Sequence, residues 1–241
     1  MKVLSIGNSF SQDAHKWIHQ LAKMNDLDMK MLNLYIGGCS LEQHWSNIQT
    51  NAEAYDFEPN GILTNWKISI ESALELTDWD IVTVQQVSSK SGMPETYEPY
   101  LSGLVALIRK LQPRAELWFH QTWAYEMDST HAGFANYDND QRKMFDALVK
   151  ASEAAAASIP AKIIPAGTLI QKLRETVPEF DYAKGGMTLN RDGYHLTRDY
   201  GRFAAAALWL RTLTGITIKA EAFEEFDPVL LQKILAVVNA Q

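Results

Sequence analysis

The sequence predicts an α/β fold in which helices cover both faces of a parallel five-stranded sheet, giving three layers. Short apolar segments with strand character alternate along the chain with longer segments of helical period. The first and third of these short segments are apolar almost throughout, as strands covered on both faces are. Strands and helices in alternation imply right-handed βαβ units, and these units build a parallel sheet.

The composition is consistent with one domain over residues 1–241. The chain is 46% hydrophobic, and no repeat or stretch rich in Pro, Gly or Ser divides it. The net charge of −7 argues against nucleic acid as a partner. No apolar run approaches the ~20 residues that span a bilayer. The N-terminal apolar run is too short for a signal peptide, so we expect a cytoplasmic protein, or an exported one if a leader was removed.

Five segments are predicted as strands, each bounded by polar or turn-forming residues. The second ends in a double glycine, Gly37-Gly38, and the fifth is short. The five strands are predicted over residues 3–6, 29–36, 80–86, 115–120 and 162–164.

Helices are predicted between and after these strands from apolar periodicity and from the residues at their ends. Ser11 or Asp13 is expected to cap the first helix, Pro113 to end the third, Pro160 to end the fourth and Gly215 to cap the fifth. The helices are predicted over residues 13–24, 41–51, 99–111, 138–159, 197–214 and 228–239.

Small and polar residues cluster where the predicted strands end. In a parallel sheet, ligands bind outside the carboxyl ends of the strands. The stretches 7–9, 37–39, 85–86 and 120–123 occupy those ends. The long stretches 52–68 and 124–139 show no regular pattern and are expected to overhang the same edge.

Ser9 follows the first strand, and Asp192 and His195 stand three residues apart in a glycine-containing turn near the other end of the chain. A hydroxyl, an imidazole and a carboxylate are the parts of a serine hydrolase. The alternative is structural: a turn serine, a solvated aspartate and a helix-capping histidine. The G-x-S-x-G elbow and the glycine-rich phosphate loops are absent.

Two other chemistries compete with this one. Cys39 is a rival nucleophile at a predicted strand end, although no motif places an imidazole beside it. His15 and His19 lie four residues apart on one helix, the spacing of zinc-binding helices, but H-E-x-x-H and a third ligand are missing. We therefore expect neither a metal nor a cofactor.

Taken together, Gly7-Asn8-Ser9, Gly38 and Asp192-x-x-His195 resemble the conserved blocks of the SGNH (GDSL-like) hydrolases. The resemblance spans nearly the whole chain and implies a flavodoxin-like three-layer α/β/α fold. It also implies that Ser9 is the nucleophile, His195 the general base and Asp192 its orienting partner. The backbone N–H groups of Ser9 and Gly38 would then donate to the oxyanion.

One block departs from this family. Most members have G-x-N-D after the third strand, and its Asn side chain is a third oxyanion donor. Here the strand ends in Gln85-Gln86, with no Asn. The chain is most similar to a branch known only as a domain of unknown function, through Gly-Asn-Ser-Phe-Ser, Gly-Gly-Cys-Ser-Leu, Trp-Asp-Ile-Val-Thr-Val-Gln-Gln and Gln-Thr-Trp-Ala-Tyr. A Gln amide can donate as Asn does, and we favour Gln86 over Gln85 because consecutive strand residues face opposite ways.

The resulting hypothesis is a serine esterase for short-acyl esters, with O-acetyl esters as the expected substrates. Analogy with other branches of the family that the chain resembles implies that a carbohydrate carries the O-acetyl group. A small-molecule or carbohydrate ester is the expected partner, and the sequence leaves the oligomeric state open. A thioesterase or lysophospholipase of the same fold and a non-catalytic binding protein are the alternatives. His44, Trp45, His120 and Trp123 either line an acyl or sugar pocket or pack at the sheet rim. The residues expected to bind substrate are Asn8, His44, Gln85, His120 and Trp123.

Overall fold

In the computed structural model, which describes residues 1–241, one seven-stranded sheet forms the centre of the molecule. The strands lie in the order β4-β3-β2-β1-β5-β6-β7. Their bounds are β1 Lys2–Gly7, β2 Lys30–Tyr35, β3 Tyr55–Pro59, β4 Lys67–Ile68, β5 Ile81–Val84, β6 Glu116–His120 and β7 Lys162–Ile164.

The predicted parallel sheet is confirmed, but the strand count of five is wrong. The five predicted strands pair in parallel in the order β2-β1-β5-β6-β7. Two further strands extend the sheet beyond β2, and both pair antiparallel, with Leu34 opposite Phe57 and Tyr55 opposite Ile68. Both lie in the stretch expected to be irregular. Strand β3 alternates apolar residues with Asp56 and Glu58, and β4 has only two residues, so neither has the apolar run that identified the other strands.

Nine α-helices cover the sheet. They are α1 Ser9–His15, α2 Ile18–Met24, α3 Leu41–Gln49, α4 Ile70–Glu75, α5 Tyr100–Leu111, α6 Gln141–Ser158, α7 Ala166–Thr176, α8 Tyr200–Thr214 and α9 Pro228–Asn239. The first predicted helix is two helices, and it begins earlier than expected because Asn8, rather than Ser11 or Asp13, is the N-cap. Helices α4 and α7 were not predicted.

The two faces of the sheet are buried in separate hydrophobic clusters. Along β1, Val3 belongs to a cluster of 42 buried residues, whereas Leu4 and Ile6 belong to one of 25 on the opposite face. This alternation follows from the two-residue period of a strand. Helix α8 is buried on nearly all sides, and its run Ala204–Ala207 allows close approach to its neighbours.

None of the helices combines the length and the apolar character that crossing a bilayer requires.

Candidate active site

Ser9 is held at the carboxyl end of β1 by the turn that begins α1. Asn8 Oδ1 accepts from the backbone N–H of Phe10 at 3.0 Å and from Gln85 Nε2 at 2.8 Å. Asn8 Nδ2 donates to the carbonyl of Cys39 at 3.0 Å. A Cβ on Gly7 would lie 2.2 Å from the Ser11 hydroxyl, so the chain needs a glycine here. These contacts fix the turn that carries Ser9 and hold that turn against the turn that follows β2.

Ser9, His195 and Asp192 form a continuous hydrogen-bonded chain. Ser9 Oγ lies 2.8 Å from His195 Nε2, and His195 Nδ1 lies 2.7 Å from Asp192 Oδ2. Asp192 Oδ1 accepts from the backbone N–H groups of Tyr194 and His195. Partial burial opposes ionisation of Asp192, but these hydrogen bonds outweigh it and hold its pKa below the usual value. An ionised Asp192 keeps the proton on Nδ1, and Nε2 can then accept the proton of Ser9.

A buried carboxylate joins the loop that carries Asp192 and His195 to helix α1. Asp13 is fully buried, and its two oxygens accept from Arg191 Nη1 at 3.0 Å. It also accepts from Arg202 Nε at 2.8 Å and from the backbone N–H of Leu196 at 2.9 Å. Since Asp13 and Ser9 belong to the same helix, these bonds set the position of His195 relative to Ser9.

Trp123 supports the loop that carries Asp192 and His195 through packing and a hydrogen bond. Its ring stacks on Phe10 with centroids 4.2 Å apart, and its Nε1 donates to the carbonyl of Tyr194 at 2.8 Å. The side chain is fully buried and does not line the cavity at Ser9.

The backbone N–H groups of Ser9 and Gly38 are free of protein acceptors. Gly38 lies in the turn after β2 with φ +67°, a left-handed conformation that favours glycine. Both residues line the same cavity. Two free donors beside a serine hydroxyl can stabilise a negative oxygen.

The cavity at Ser9 is small, with a volume of about 270 Å³. It is lined by Asn8, Ser9, Phe10, Tyr35, Gly37, Gly38, Val87, Ser88, His131, Tyr194 and His195.

Gln86 points away from this cavity. Its Nε2 donates to the carbonyl and the hydroxyl of Thr96, and its Oε1 accepts from the backbone N–H groups of Leu41 and Val87. Gln85 is also buried, between Asn8 and His120. The expected amide donor is therefore occupied elsewhere, and the two Gln side chains hold together the loops around the cavity.

Of the residues expected to bind substrate, only Asn8 lines the cavity, and the structure corrects the other four. Besides Trp123 and Gln85, His44 and His120 are fully buried. His44 Nδ1 bonds the Tyr55 hydroxyl at 2.8 Å. Burial lowers the pKa of both imidazoles to about 3, so they are neutral parts of the packed sheet rim.

Cys39, the rival nucleophile, and the pair of His15 and His19 have structural roles. Cys39 is buried, and burial raises the pKa of its thiol to about 12, so the reactive thiolate is not populated near neutral pH. His15 is buried and bonds Ser5 Oγ at 2.8 Å, whereas His19 bonds the carbonyl of Met29 at 2.9 Å.

Seven cavity residues were not among the site residues predicted from the sequence: Phe10, Tyr35, Gly37, Val87, Ser88, His131 and Tyr194. His131 Nδ1 accepts from the backbone N–H of Gly133 at 3.0 Å, so the neutral ring carries its proton on Nε2. His131 lies in the stretch expected to overhang the site. The only signal in the sequence was therefore the location of that stretch.

Comparison with solved structures identifies the same architecture in other proteins. A DUF4886 family protein from Bacteroides uniformis is 38% identical, with a TM-score of 0.92, covering 100% of this chain and 93% of the other. A proposed SGNH hydrolase from Slackia heliotrinireducens is 19% identical, with a TM-score of 0.60, covering 88% and 98%. An acetylxylan esterase from Geobacillus stearothermophilus is 13% identical, with a TM-score of 0.56, covering 91% and 96%. The last two likenesses show the fold of the SGNH hydrolases.

None of the curated protein sequences is significantly similar to this chain. The family model of DUF4886, a domain of unknown function, matches residues 2–232. The chain therefore belongs to the DUF4886 family and has the SGNH hydrolase fold.

Proposed function

We propose that this protein is a serine ester hydrolase that works through an acyl-enzyme. The observation that carries the proposal is the chain of two short hydrogen bonds from Ser9 Oγ through His195 to Asp192. Ser9 attacks the ester carbonyl while His195 Nε2 takes its proton, and His195 then gives this proton to the departing alcohol. Water activated by His195 hydrolyses the acyl-enzyme. The N–H groups of Ser9 and Gly38 stabilise the tetrahedral oxyanion in both steps.

The cavity supports a short acyl group. Its volume of about 270 Å³ lies just below the range of about 300–1,000 Å³ for small-molecule sites. Its walls mix apolar atoms of Phe10 and Val87 with polar groups of Tyr35, His131 and Tyr194. A long acyl chain needs a more extended apolar groove, so a thioesterase or lysophospholipase fits this cavity less well.

We further propose that the alcohol part of the substrate is a sugar carrying O-acetyl groups. Aromatic rings with a polar tip suit stacking on a sugar ring and bonding to its hydroxyls. Tyr35 and Tyr194 line the cavity, and so does His131, whose neutral ring carries its proton on Nε2. The acetylxylan esterase that shares the fold is consistent with this choice, which rests on the cavity chemistry.

The first prediction tests the proposed hydrolase with a serine-reactive fluorophosphonate probe and with p-nitrophenyl acetate. We expect labelling and turnover in the wild-type protein. Ser9→Ala should abolish labelling and lower turnover more than about a thousandfold, since no other nucleophile replaces the hydroxyl. Ser46→Ala, which changes an exposed serine on α3, is the matched control and should behave as wild type.

The same assay separates the alternatives. Folded wild-type protein that is neither labelled nor active would overturn the hydrolase and favour a binding protein. Turnover of p-nitrophenyl esters should fall from acetate to octanoate, and a rise along this series would favour the thioesterase or lysophospholipase. Release of acetate from acetylated xylo-oligosaccharides tests the proposal that the alcohol part of the substrate is a sugar. Activity on simple esters but not on these oligosaccharides would overturn that proposal.

A further inference from the structure

The turn after β5 brings Ser88 to the wall of the cavity from which the expected amide is absent. Val87 and Ser88 follow Gln86, and Ser88 begins a short 3₁₀ turn, Ser88–Lys90. Gln86 Oε1 accepts from the N–H of Val87 at 2.8 Å and so stabilises this turn. Ser88 is 4% exposed, and it lines the same cavity as Ser9, Gly38 and His195.

The hydrogen bonds of Ser88 leave a donor available for the cavity. Its Oγ lies 2.9 Å from the hydroxyl of Tyr125, which has no other hydrogen-bond partner in the protein. Burial raises the pKa of Tyr125 above its usual range, so the phenol keeps its proton. When Tyr125 donates to Ser88 Oγ, the Ser88 hydrogen is free to point elsewhere. The backbone N–H of Ser88 also has no protein acceptor.

Tyr125 is placed rigidly enough to orient this bond. The side chain is fully buried, and its ring packs against His131, Phe134 and Tyr194 with centroids 4.9 to 5.7 Å apart. A phenol held in this way cannot turn away from Ser88 without repacking its neighbours.

We propose that Ser88 is the third oxyanion donor of this protein, with Tyr125 as the residue that positions its hydroxyl. The inference rests on the proposed hydrolase. As Ser9 attacks, the carbonyl oxygen gains charge and accepts from the N–H groups of Ser9 and Gly38 and from Ser88 Oγ–H. Tyr125 donates to Ser88 and polarises that hydroxyl, as chains of hydrogen bonds do.

The second prediction concerns Ser88→Ala and Tyr125→Phe. We expect Ser88→Ala to lower kcat on p-nitrophenyl acetate about a hundredfold, the loss typical of one oxyanion donor, with KM changed less than about threefold. Tyr125→Phe should lower kcat about tenfold in the same way, because Ser88 remains but loses its orienting bond.

Two matched controls separate this role from packing. Ser91→Ala removes a buried hydroxyl that donates to the Ser88 carbonyl at 2.8 Å, and Tyr97→Phe removes a buried phenol that donates to the Ser91 carbonyl at 2.6 Å. Both should keep wild-type kcat. Binding of a boronic acid, whose tetrahedral adduct with Ser9 carries a similar negative oxygen, should weaken in Ser88→Ala in proportion to the loss of kcat/KM.

The outcomes distinguish the two proposals. An active wild-type enzyme whose kcat and boronic acid affinity are unchanged by Ser88→Ala would overturn the role of Ser88 and leave the hydrolase intact. Equal losses in Ser91→Ala and Ser88→Ala would also overturn it, since a structural role would explain both. An inactive wild-type protein that the fluorophosphonate does not label would overturn the hydrolase and, with it, this inference.

Discussion

Ser9 and Gly38 reach one cavity from turns that follow two different strands, and each turn depends on a glycine. At Gly7 the reason is space, because a Cβ would clash with Ser11 Oγ. At Gly38 the reason is conformation, since nothing lies within 4 Å of a Cβ there but φ is +67°. The direction of the Gly38 N–H therefore depends on a backbone conformation that other residues rarely adopt.

The third prediction concerns Gly38→Ala. The left-handed conformation costs a residue with a Cβ about 1–2 kcal/mol, so we expect a small loss of stability. Relaxation of the turn would move the N–H away from the oxyanion, and we expect kcat to fall about tenfold or more. Urea unfolding and steady-state kinetics measure the two effects.

Gly215→Ala is the matched control for this variant. Gly215 also has nothing within 4 Å of its Cβ position, and its φ is +74°, but it caps α8 away from the cavity. It should lose similar stability and keep full activity. Equal activity in the two variants would contradict the role of the Gly38 N–H.

At the scale of elements, one short helix and one loop must be held together for Ser9 to meet His195. Helix α1 contributes both Ser9 and Asp13, and Asp13 binds Arg191 in the loop and Arg202 in α8. A buried carboxylate with two arginine partners is stable because its charge is compensated, and removing it leaves those charges without a partner.

The fourth prediction is therefore that Asp13→Asn lowers the free energy of unfolding by about 3 kcal/mol or more. The folded variant should also have a lower kcat, because the loop that carries His195 is less well held. Denaturant unfolding monitored by tryptophan fluorescence measures the first effect, and p-nitrophenyl acetate turnover the second.

Asp78→Asn provides the comparison. Asp78 pairs with Arg114 at 3.0 Å, but both side chains are more than 80% exposed. Such a pair contributes about 0–1 kcal/mol, so this variant should remain close to wild type in stability and activity. A similar result for Asp13→Asn would show that the buried contacts do not hold the loop.

At the scale of the whole molecule, three imidazoles are enclosed in the packed layers. His15, His44 and His120 are fully buried, and burial lowers the pKa of each to about 3. Unfolding exposes them to water, where a histidine pKa is about 6.5. Between these two values the unfolded chain binds protons that the folded protein does not, so stability falls as the pH falls.

The fifth prediction gives this effect a magnitude. Below pH 6, each buried histidine should lower the free energy of unfolding by about 1.4 kcal/mol for every pH unit. The three together should lower it by about 4 kcal/mol for every pH unit. Urea unfolding at several pH values from 7 to 4.5 measures the slope. His44→Gln should reduce the contribution of histidines to that slope by about one third. An unchanged slope in this variant would show that His44 takes up a proton in the folded state.

The parts of the fold that follow from local pattern were predictable from the sequence. The apolar runs of β1 and β5, the helical period of α5 and the prolines after α5 and α6 each act over a few residues. The hairpin of β3 and β4 was missed because β3 is half polar and β4 is very short, so its pairing depends on contact with β2.

The candidate site also has a part that local motifs predict and a part that depends on tertiary contacts. Gly7-Asn8-Ser9 and Asp192-x-x-His195 are local motifs, because the turn that positions each lies within the same few residues, and so the sequence was enough to propose them. The directions of Gln86 and Ser88 depend on Thr96, Leu41 and Tyr125, which are distant along the chain. A polar side chain in a packed interior turns toward whichever partner satisfies its hydrogen bonds, and only the tertiary structure brings those partners into reach.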